Sequence, residues 1–528
     1  MRNIFKQSVL FTALLSAGML CSCDDDTLGQ ADRLFRPVIG EETIGGTWIK
    51  LKWDRYEGAN EFELELSTDS FANILQTHVT TLNTFTFEEL EYDTKYNIRI
   101  KSLGNNIASE YYVHKDLTTN DFPTQLTTLT SSDVVDVAVR VQWNVTDNPY
   151  TSLSVFKKDT LIKSVDVTAA EYAAGEKIIS GLEPVTSYFV KAYTGEEYKG
   201  KKSFKTASAQ VFEGTVVDLR SFSDEESYQM ITQSFVDSIE SGSTVVMNGG
   251  TTYLMPTLIL SKDVTFVTGM SLNGKAIFAV DGNFDLAGGI EPISITLKDL
   301  SFTDSENKPK TSSNYGGTYL FNLGQANGSA QLIRITGCDI KYKRGMMRIK
   351  SPNKVSMLEI DDVICDSIGG YGILNMDHAE AEITEVSIKN STFSHTDVFI
   401  ANSKGVTFDK LTVENITTFC TPASAKYFFD LNGKTIPGGL FINNNVYGLT
   451  KAPVKGLRSK ATLIEQNNNY CTNDLAWVIN ETTLMPTDPL EVTLFNKSSY
   501  ELFVNPDNLN LGIQIADFPG MGDPRWKN

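Results

Sequence analysis

The sequence predicts an all-β protein with two β-sandwich domains followed by a right-handed parallel β-helix that carries an N-terminal helical cap. Short alternating strand signals recur in two stretches before residue 208, and one amphipathic helix follows them. A strand, corner and strand pattern is then repeated seven times. Short strands at regular spacing are typical of sandwiches, and repeated units that cannot bury their apolar face alone are typical of solenoids.

Residues 1–23 predict a lipoprotein signal peptide, which is excluded from the fold. A charged start precedes an apolar run that is too short to span a bilayer. The run ends in a sequence that resembles a bacterial lipobox, with Cys23 as the lipidated residue: Leu20-Cys21-Ser22-Cys23. Residues 24–32 form an acidic linker whose first three residues resemble the signal that sends Bacteroidota lipoproteins to the outer cell surface. The expected location is therefore the outer membrane, with a lipid anchor and the protein on the cell surface.

The composition limits the classes of partner. The formal net charge of -19 argues against binding nucleic acid or anionic lipid through general electrostatics. Beyond the signal peptide four cysteines remain, and none of them has a CxxC spacing: Cys338, Cys365, Cys420 and Cys471. Because they lie within the repeats, we expect buried thiols rather than a zinc site or a disulfide framework.

The two predicted sandwiches span residues 33–118 and 122–208. Each contains a Trp that closes or interrupts an alternating run, and each has a Leu six residues before a Tyr: Leu90 and Tyr96, Leu182 and Tyr188. This spacing resembles the tyrosine corner of fibronectin type III domains, in which the phenolic hydroxyl ties down a Greek-key crossover. The resemblance implies two fibronectin type III modules, which we expect to act as spacers between the membrane and the C-terminal body.

The predicted β-helix domain spans residues 210–528 and begins with its cap. Four apolar residues at helical spacing predict one helix, with Ser227 near its N-cap: Met230, Ile231, Phe235 and Ile239. A helix at this place would cover the open end of the first coil. The order of helix, Gly-rich turn, strand and Gly250-Thr251-Thr252-Tyr253 resembles the cap of pectate-lyase-like proteins.

Seven copies of the repeat predict the coils, and they start at Ser294, Gln331, Ser356, Glu385, Gly405, Gly439 and Thr462. Asparagines fall at the corners, where Asn tolerates left-handed backbone angles and pairs with the Asn of the next coil: Asn390, Asn443 to Asn445, and Asn467 to Asn469. We predict that these asparagines form turn ladders and do not bind ligands.

The cap, the coils and two C-terminal segments, LFVNP at Leu502 and GDPRW at Gly522, together resemble the pectin-lyase-like superfamily. The whole chain resembles Bacteroidota surface lipoproteins that join fibronectin type III modules to such a β-helix. The resemblance implies an architecture and no single activity, because the fold hosts lyases, hydrolases, esterases and non-catalytic binders.

The indication of function therefore lies in the outward residues of one face of the helix. The third strands of successive copies predict one outward column of Phe321, Arg348, Asn375, Ile400 and Asp430. The next column would hold Leu323, Lys350, Asp377, Asn402 and Asn432. His378 ends one of these strands. Of the aromatic residues nearby, Tyr371 and Tyr427 are the predicted sugar-stacking platforms.

Three uses of this face stay open. In a binder, Arg348 and Lys350 would pair with uronate carboxylates while asparagines contact hydroxyls. In a lyase, Lys350 or Arg348 would act as the base beside a calcium ion, for which Asp377 and Asp430 are weak ligands. In a hydrolase, Asp377 and Asp430 would be the carboxylate pair.

Binding demands least of the residues present. We predict a surface lipoprotein that binds a pectin-like or other uronate-containing polysaccharide within a glycan-utilisation system. It would need no cofactor, with Ca2+ required only if it is a lyase, and its protein partner would be an outer-membrane glycan transporter complex. A lyase or hydrolase, and a structural or protein-partner module, are the alternatives.

Overall fold

The structure is a computed structural model that describes residues 33–307, 315–422 and 426–527. The predicted signal peptide, Cys23 and the acidic linker lie outside the described residues. The described chain is all-β, with sandwich sheets at the N-terminal end and a parallel solenoid of about ten turns after them. Among these residues no helix is long and apolar enough to cross a membrane.

The first sandwich packs two antiparallel sheets face to face. One sheet contains Ile39–Ile44, Ile49–Trp53 and Thr84–Phe87. The other contains Gln76–Thr80, Glu61–Ser67, Lys95–Leu103 and Tyr112–Thr118. Tyr96 is buried, and its hydroxyl accepts a hydrogen bond from the backbone N–H of Glu91 at 3.0 Å. This is the hydrogen bond expected of a tyrosine corner.

The second sandwich repeats the arrangement. Its larger sheet contains Thr160–Asp166, Ser152–Lys157, Ser187–Thr194 and Glu197–Lys205. The smaller sheet pairs Glu176–Ser180 with Ala138–Gln142, and two short helices are Ser131–Asp133 and Ala169–Ala174. The Tyr188 hydroxyl accepts from the N–H of Glu183 at 3.0 Å, so both predicted tyrosine corners are present.

The cap contains two short helices, Asp224–Tyr228 and Gln233–Ser238, where the sequence predicted one. That prediction is wrong because Thr232 starts a new helix, in which its side chain accepts from the N–H of Phe235 at 3.1 Å. Ser227 lies inside the first helix, and Ser223 caps it. Apolar residues of the cap are buried against the first coil: Ile231, Val236 and Ile239. The cap therefore covers the start of the solenoid core as expected.

A complete solenoid turn passes through three rows of parallel strands, here called face 1, face 2 and face 3 in the order in which the chain meets them. Face 1 contains ten strands: Val216–Asp218, Ser243–Met247, Val264–Thr268, Ile293–Lys298, Ser329–Thr336, Lys354–Asp361, Glu382–Lys389, Lys410–Glu414, Leu440–Asn443 and Ile464–Asn467. The seven predicted repeats lie within its last seven turns.

Face 2 contains Thr252–Met255, Ala276–Val280, Leu300–Asp304, Thr392–Thr396, Thr417–Phe419, Val446–Tyr447, Tyr470–Thr472 and Thr493–Phe495. Face 3 contains Leu258–Leu260, Phe284–Leu286, Tyr319–Leu323, Ile400–Ala401, Tyr427–Asp430 and Lys455–Arg458. Two long strands, Asp339–Ile349 and Ile364–Met376, bend and contribute to both sheets. A short helix, Tyr315–Gly317, precedes one face 3 strand.

The corner between faces 1 and 2 has a left-handed residue other than glycine in six of the turns. The φ angles of these residues lie between 47° and 59°: Asp299, Asp362, Asn390, Asn415, Asn444 and Asn468. The amide of Asn415 donates to Asn390 at 3.0 Å, and that of Asn390 donates to Asp361 at 2.8 Å. The prediction of asparagine turn ladders is confirmed.

The solenoid core is a stack of inward side chains in register. Along face 1 one inward column is aliphatic and fully buried or nearly so: Ile295, Ile333, Leu358, Val386 and Leu411. The four predicted thiols are free and buried. Burial raises the pKa of the Cys338 thiol to about 12, so this group stays protonated.

The C-terminal segment returns over face 2. It contains the helix Ser499–Leu502, a hairpin of Phe503–Asn505 and Asn510–Ile513, and the short helices Pro506–Asn508 and Pro524–Trp526. The hydroxyl of Thr392 on face 2 donates to the Asp523 carboxylate at 2.7 Å, and the Trp526 indole donates to that hydroxyl at 2.7 Å. The later turns of face 2 are covered in this way.

Candidate functional site

The outward column of face 3 follows from strand register and runs through Asn322, Arg348, Asn375, Ala401, Asp430 and Arg458. The predicted column matches it at Arg348, Asn375 and Asp430. It is wrong at Phe321 and Ile400, which are fully buried inside the solenoid. A one-residue shift exchanges the two sides of a strand, and burying Phe and Ile is favourable, so these apolar residues take the interior positions.

The second predicted column is not a column on the surface. Leu323 is fully buried, and Lys350 and Asp377 are the first residues after their strands, in the turn that leaves face 3. Asn402 is also fully buried, and its side-chain amide donates to the carbonyl of Val406 at 2.7 Å. The placement of Asn402 on a ligand-facing surface is therefore wrong, because its amide stabilises the turn.

Asn432 and His378 lie in turns beside the column. Asn432 is exposed with a φ of 47°, and its amide donates to the carbonyl of Ser403 at 2.7 Å. His378 is half-buried, and its Nδ1 accepts from the backbone N–H of Glu380 at 3.1 Å. Both residues therefore border the site and also hold its turns.

The first arginine cluster is defined here as Arg344, Arg348, Tyr371, Asp377 and Lys404. The Arg348 guanidinium lies 4.3 Å from the centre of the Tyr371 ring. Its Nε and Nη2 donate to Asp377 Oδ2 at 3.0 and 2.5 Å. Lys404 reaches the other Asp377 oxygen at 2.6 Å, and Arg344 lies 5.0 Å from the Tyr371 ring. One carboxylate and one ring thus hold three cations together.

Two glycines make room for Tyr371. A Cβ on Gly345 in the preceding turn would lie 2.7 Å from the Cβ of Tyr371. Gly372 has a φ of 68°, and a Cβ there would lie 2.1 Å from the carbonyl oxygen of Val398. A side chain at Gly345 would displace Tyr371, and one at Gly372 would strain the backbone next to Tyr371, so both glycines help to keep the ring beneath Arg348.

The second arginine cluster is defined as Tyr427, Asp430, Lys455, Arg458 and Asp488. Arg458 Nε and Nη2 donate to Asp430 Oδ1 at 2.7 and 2.5 Å. The guanidinium lies 5.1 Å from the Tyr427 ring, and Lys455 Nζ lies 5.2 Å from it. The Tyr427 hydroxyl donates to Asp488 at 2.9 Å. The Arg, Tyr and Asp of the first cluster therefore recur here.

The electrostatics of Asp377 keep its carboxylate ionised. Burial acts to raise the pKa of Asp377, but hydrogen bonds from Lys404 and Arg348 outweigh burial and lower the pKa. An acid with a lowered pKa does not suit the proton-donating role of a glycoside hydrolase. Asp377 therefore holds cations in place and is a poor general acid.

Four lysines lie in the turns that leave face 3 and are called the basic edge: Lys350, Lys404, Lys434 and Lys460. Lys350 and Lys404 are exposed, and the Lys404 side chain keeps 60% of its surface. Lys434 Nζ donates to the carbonyl of Gly405, and the Lys460 backbone N–H donates to the carbonyl of Lys434 at 2.8 Å. The basic edge runs beside the outward column of face 3 along the solenoid axis.

The predicted calcium ligands are already committed to cations. Asp377 binds Arg348 and Lys404, and Asp430 binds Arg458. Within the described ranges, no group of three or more His, Cys, Asp or Glu side chains converges as metal ligands. The donor set around these two aspartates does not fit a calcium ion, which needs six to eight oxygens.

Sequence reasoning missed five of the ten cluster residues: Arg344, Lys404, Lys455, Arg458 and Asp488. Arg458 lies in KGLRSK, which is the next face 3 strand and was not included among the aligned third strands. Lys404 follows the predicted third strand that starts at Val398, and Arg344 precedes the one that starts at Met346. Neither residue lies within the alternating pattern of its strand. Extending the alignment by one turn would have found Arg458 and Lys455.

No protein-family profile matches the sequence, and no curated protein sequence matches it significantly. Among solved structures, a two-domain fibronectin type III segment from chicken tenascin is similar, with 18% sequence identity and a TM-score of 0.19. The similarity covers 33% of this chain and 100% of that one. The FN1-FN3 domains of chicken CNTN1 are 12% identical, with 33% and 68% of the chains covered and a TM-score of 0.16. Each similarity is confined to one third of this chain.

Proposed function

We propose that the protein is a surface lipoprotein whose solenoid binds an acidic, uronate-containing polysaccharide on face 3. The observation that carries the proposal is the pair of arginine clusters on face 3. Each cluster holds an Arg against a Tyr ring and an Asp carboxylate. Guanidinium groups bind carboxylates through paired, charge-assisted hydrogen bonds, so a uronate is the ligand group that suits these clusters.

The arginines are pre-organised and still have donors to offer. Arg348 uses Nε and Nη2 on Asp377, while its Nη1 makes only a 3.5 Å contact with the Tyr319 hydroxyl. Arg458 uses Nε and Nη2 on Asp430 and keeps 40% of its side chain exposed. Because rings and carboxylates already fix the guanidinium planes, a ligand pays little ordering entropy to use the remaining N–H groups.

The sign of the charge on this face opposes that of the whole protein. The formal net charge is -19, yet the basic edge and the two clusters concentrate Lys and Arg along one side of the solenoid. A protein this acidic repels polyanions in general, so a polyanion that binds must do so locally. The position of the cations therefore favours an acidic polymer over a neutral one.

The tyrosines take a different part in this proposal from the one the sequence suggested. Arg348 and Arg344 lie over the Tyr371 ring, and Arg458 and Lys455 lie over the Tyr427 ring. Rings that already contact cations serve best as supports for the guanidinium groups. Asn375, next to Arg348 in the column, offers an amide to sugar hydroxyls.

The remaining parts of the proposal follow the sequence. Cys23 carries the lipid anchor, the two fibronectin type III-like modules are spacers, and an outer-membrane glycan transporter complex is the protein partner. The role in glycan utilisation rests on these sequence signals together with the cationic face.

Affinity electrophoresis and product detection test the proposal together. The protein without its signal peptide is run through gels containing polygalacturonate, alginate, neutral galactan or neutral arabinan. Retardation by an acidic polymer and not by the neutral ones is the expected result. Equal mobility in all gels would contradict the proposal and favour a structural or protein-partner role.

The same mixtures separate binding from catalysis. They are incubated with and without calcium and assayed for unsaturated uronates by ultraviolet absorbance and for new reducing ends. We expect neither product. Unsaturated uronate that disappears in Lys350→Ala would make the protein a lyase, and new reducing ends without unsaturation would make it a hydrolase.

A further inference from the structure

We infer that the two arginine clusters are the ends of one extended site, which takes an acidic oligosaccharide of about five or more residues lying along the solenoid axis. The inference rests on the proposed function and adds to it the direction and the minimum length of the ligand. It is carried by strand register, by the small and uncharged residues between the clusters, and by the unequal charge of the two ends.

Strand register fixes the distance between the ends. Arg348 pairs with Asn375, Asn375 with Ala401, Ala401 with Asp430, and Asp430 with Arg458. Four steps separate the two arginines, which at ~4.8 Å per step is about 19 Å. A linked pyranose advances by about one such step, so five sugars in a row would reach from one arginine to the other.

The described outward residues between the ends are uncharged and partly exposed. Asn375 and Ala401 are the two outward residues between Arg348 and Asp430, and both keep part of their surface exposed. Neither carries charge, and Ala401 adds almost no bulk. One pyranose could contact the Asn375 amide, and the next could occupy the space above Ala401.

The basic edge gives the ligand its direction. A lysine of the basic edge follows the column residue in four of the five turns, and the turn of Asn375 is the exception. The pairs are Arg348 and Lys350, Ala401 and Lys404, Asp430 and Lys434, and Arg458 and Lys460. A uronate chain has a carboxylate on every residue, so a chain along the axis meets a cation at nearly every turn. A chain that crosses the axis would leave the face after one or two sugars.

The two ends are unequal. The first cluster has three cations, Arg344, Arg348 and Lys404, against the single carboxylate of Asp377. In the second cluster, two cations face two carboxylates: Lys455 and Arg458, Asp430 and Asp488. The first cluster is therefore the main anchor. The second contributes when a ligand already held at the first is long enough to reach it, because attachment at one end raises the effective concentration at the other.

A length series measures this directly. Uronate oligosaccharides of two to eight residues, cut from whichever acidic polymer retards the wild-type protein, are titrated by calorimetry. We expect weak binding up to three residues and an affinity at least about tenfold higher from five or six residues onward. In Arg458→Ala the hexamer should bind only as tightly as the trimer, while the trimer is unaffected. In Arg348→Ala both should weaken.

A matched control and the contrary results complete the test. Arg334 on face 1 pairs with Glu359 at 3.0 Å, so Arg334→Ala removes a similar ion pair from another face and should change nothing. Equal affinity of trimer and hexamer for the wild type, with Arg348→Ala still weakening both, would overturn the extended site and leave the proposed function intact. Absence of binding by polymers and oligomers alike would remove the proposed function itself.

Discussion

Faces 2 and 3 are built by the same turns and use their outward positions in opposite ways. On face 2, Thr392 and Thr417 are buried beneath the C-terminal segment, and both hydroxyls bond to Asp523. On face 3, the outward side chains include Arg348 and Arg458, which keep 16% and 40% of their surface exposed. Small hydroxyl residues mark the face that the chain covers with itself, and paired charges mark the face on which we propose that a ligand binds.

The largest expected effect comes from the bend that joins the two faces. Lys343 lies in the strand that leaves face 2 for face 3, and its Nζ binds Asp304 at 2.8 Å with both side chains buried. Lys343→Ala leaves a buried carboxylate without this cation, which should cost about 3–5 kcal/mol of unfolding free energy. Denaturant unfolding measures the loss of unfolding free energy, and both faces should be destabilised.

The companion variant isolates the charge. Replacing Lys343 and Asp304 together by Leu removes the buried pair and should stay near the stability of the wild-type protein, since apolar replacements of buried pairs are often neutral. A loss below about 1 kcal/mol in Lys343→Ala would show that the bend does not depend on this pair.

The next effect separates the faces. Asp523→Ala removes the carboxylate that holds Thr392 and Arg525, and charged hydrogen bonds of this kind are worth about 1.5–3 kcal/mol each. Hydrogen exchange should quicken in the face 2 turns around Thr392 and Thr417, while polysaccharide binding is unchanged. Lost binding would mean that the cover over face 2 also shapes the ligand site, and the contrast between the faces would fail.

A pH effect is expected at the corner where face 2 turns into face 3. The hydrogen bond from His395 to Asp366 is the largest effect on the pKa of His395, and a hydrogen bond to Cys420 is the next. Together they outweigh burial, which acts to lower this pKa, and raise it from 6.5 to about 9. The raised pKa means that this stabilisation is complete below pH 6.5 and is lost as pH rises through about 9. NMR titration of the imidazole should show the high pKa and a fall in Asp366→Asn. A wild-type value near 6.5 would contradict the ion pair.

The smallest effect concerns the ring under Arg348. Tyr371→Phe keeps the ring and should bind acidic polysaccharide as the wild-type protein does. Tyr371→Ala removes a cation–π contact worth roughly 0.5–2 kcal/mol, so binding should weaken by about two- to thirtyfold. Calorimetric titration of the polymer compares the two variants. If both variants bound the polymer equally weakly, the Tyr371 hydroxyl would be the group that matters. If neither variant changed the affinity, the ring would have no role in binding.

The architecture could be predicted from the sequence because buried and exposed positions alternate along a strand, and apolar and polar residues therefore alternate in the sequence. Alternating apolar residues predicted the face 1 strands. The spacing of Leu182 and Tyr188 predicted the tyrosine-corner hydrogen bond, which the Tyr188 hydroxyl accepts from the Glu183 N–H. The break at Thr232 was missed, since a capping side chain and an internal Thr look alike until the backbone is seen.

The candidate site was predicted only in part. Arg348, Asn375 and Asp430 were placed correctly on face 3, whereas Phe321 and Ile400 were placed one residue out of register. Variable insertions between turns hide the register, and only the pairing of strands sets it. The clusters join residues from turns far apart in sequence, so no local pattern could reveal that Lys404 shares Asp377 with Arg348.

The most direct test of the central claim is the affinity of an acidic polysaccharide for matched arginine variants. Polygalacturonate is titrated into the wild-type protein, Arg348→Ala with Lys404→Ala, and the face 1 control Arg334→Ala, at low and moderate salt. The face 3 variant should bind at least about tenfold more weakly and with a shallower salt dependence, because charge-assisted bonds to carboxylates are lost. The control should match the wild-type protein. Equal affinities in all three would show that face 3 is not the binding site.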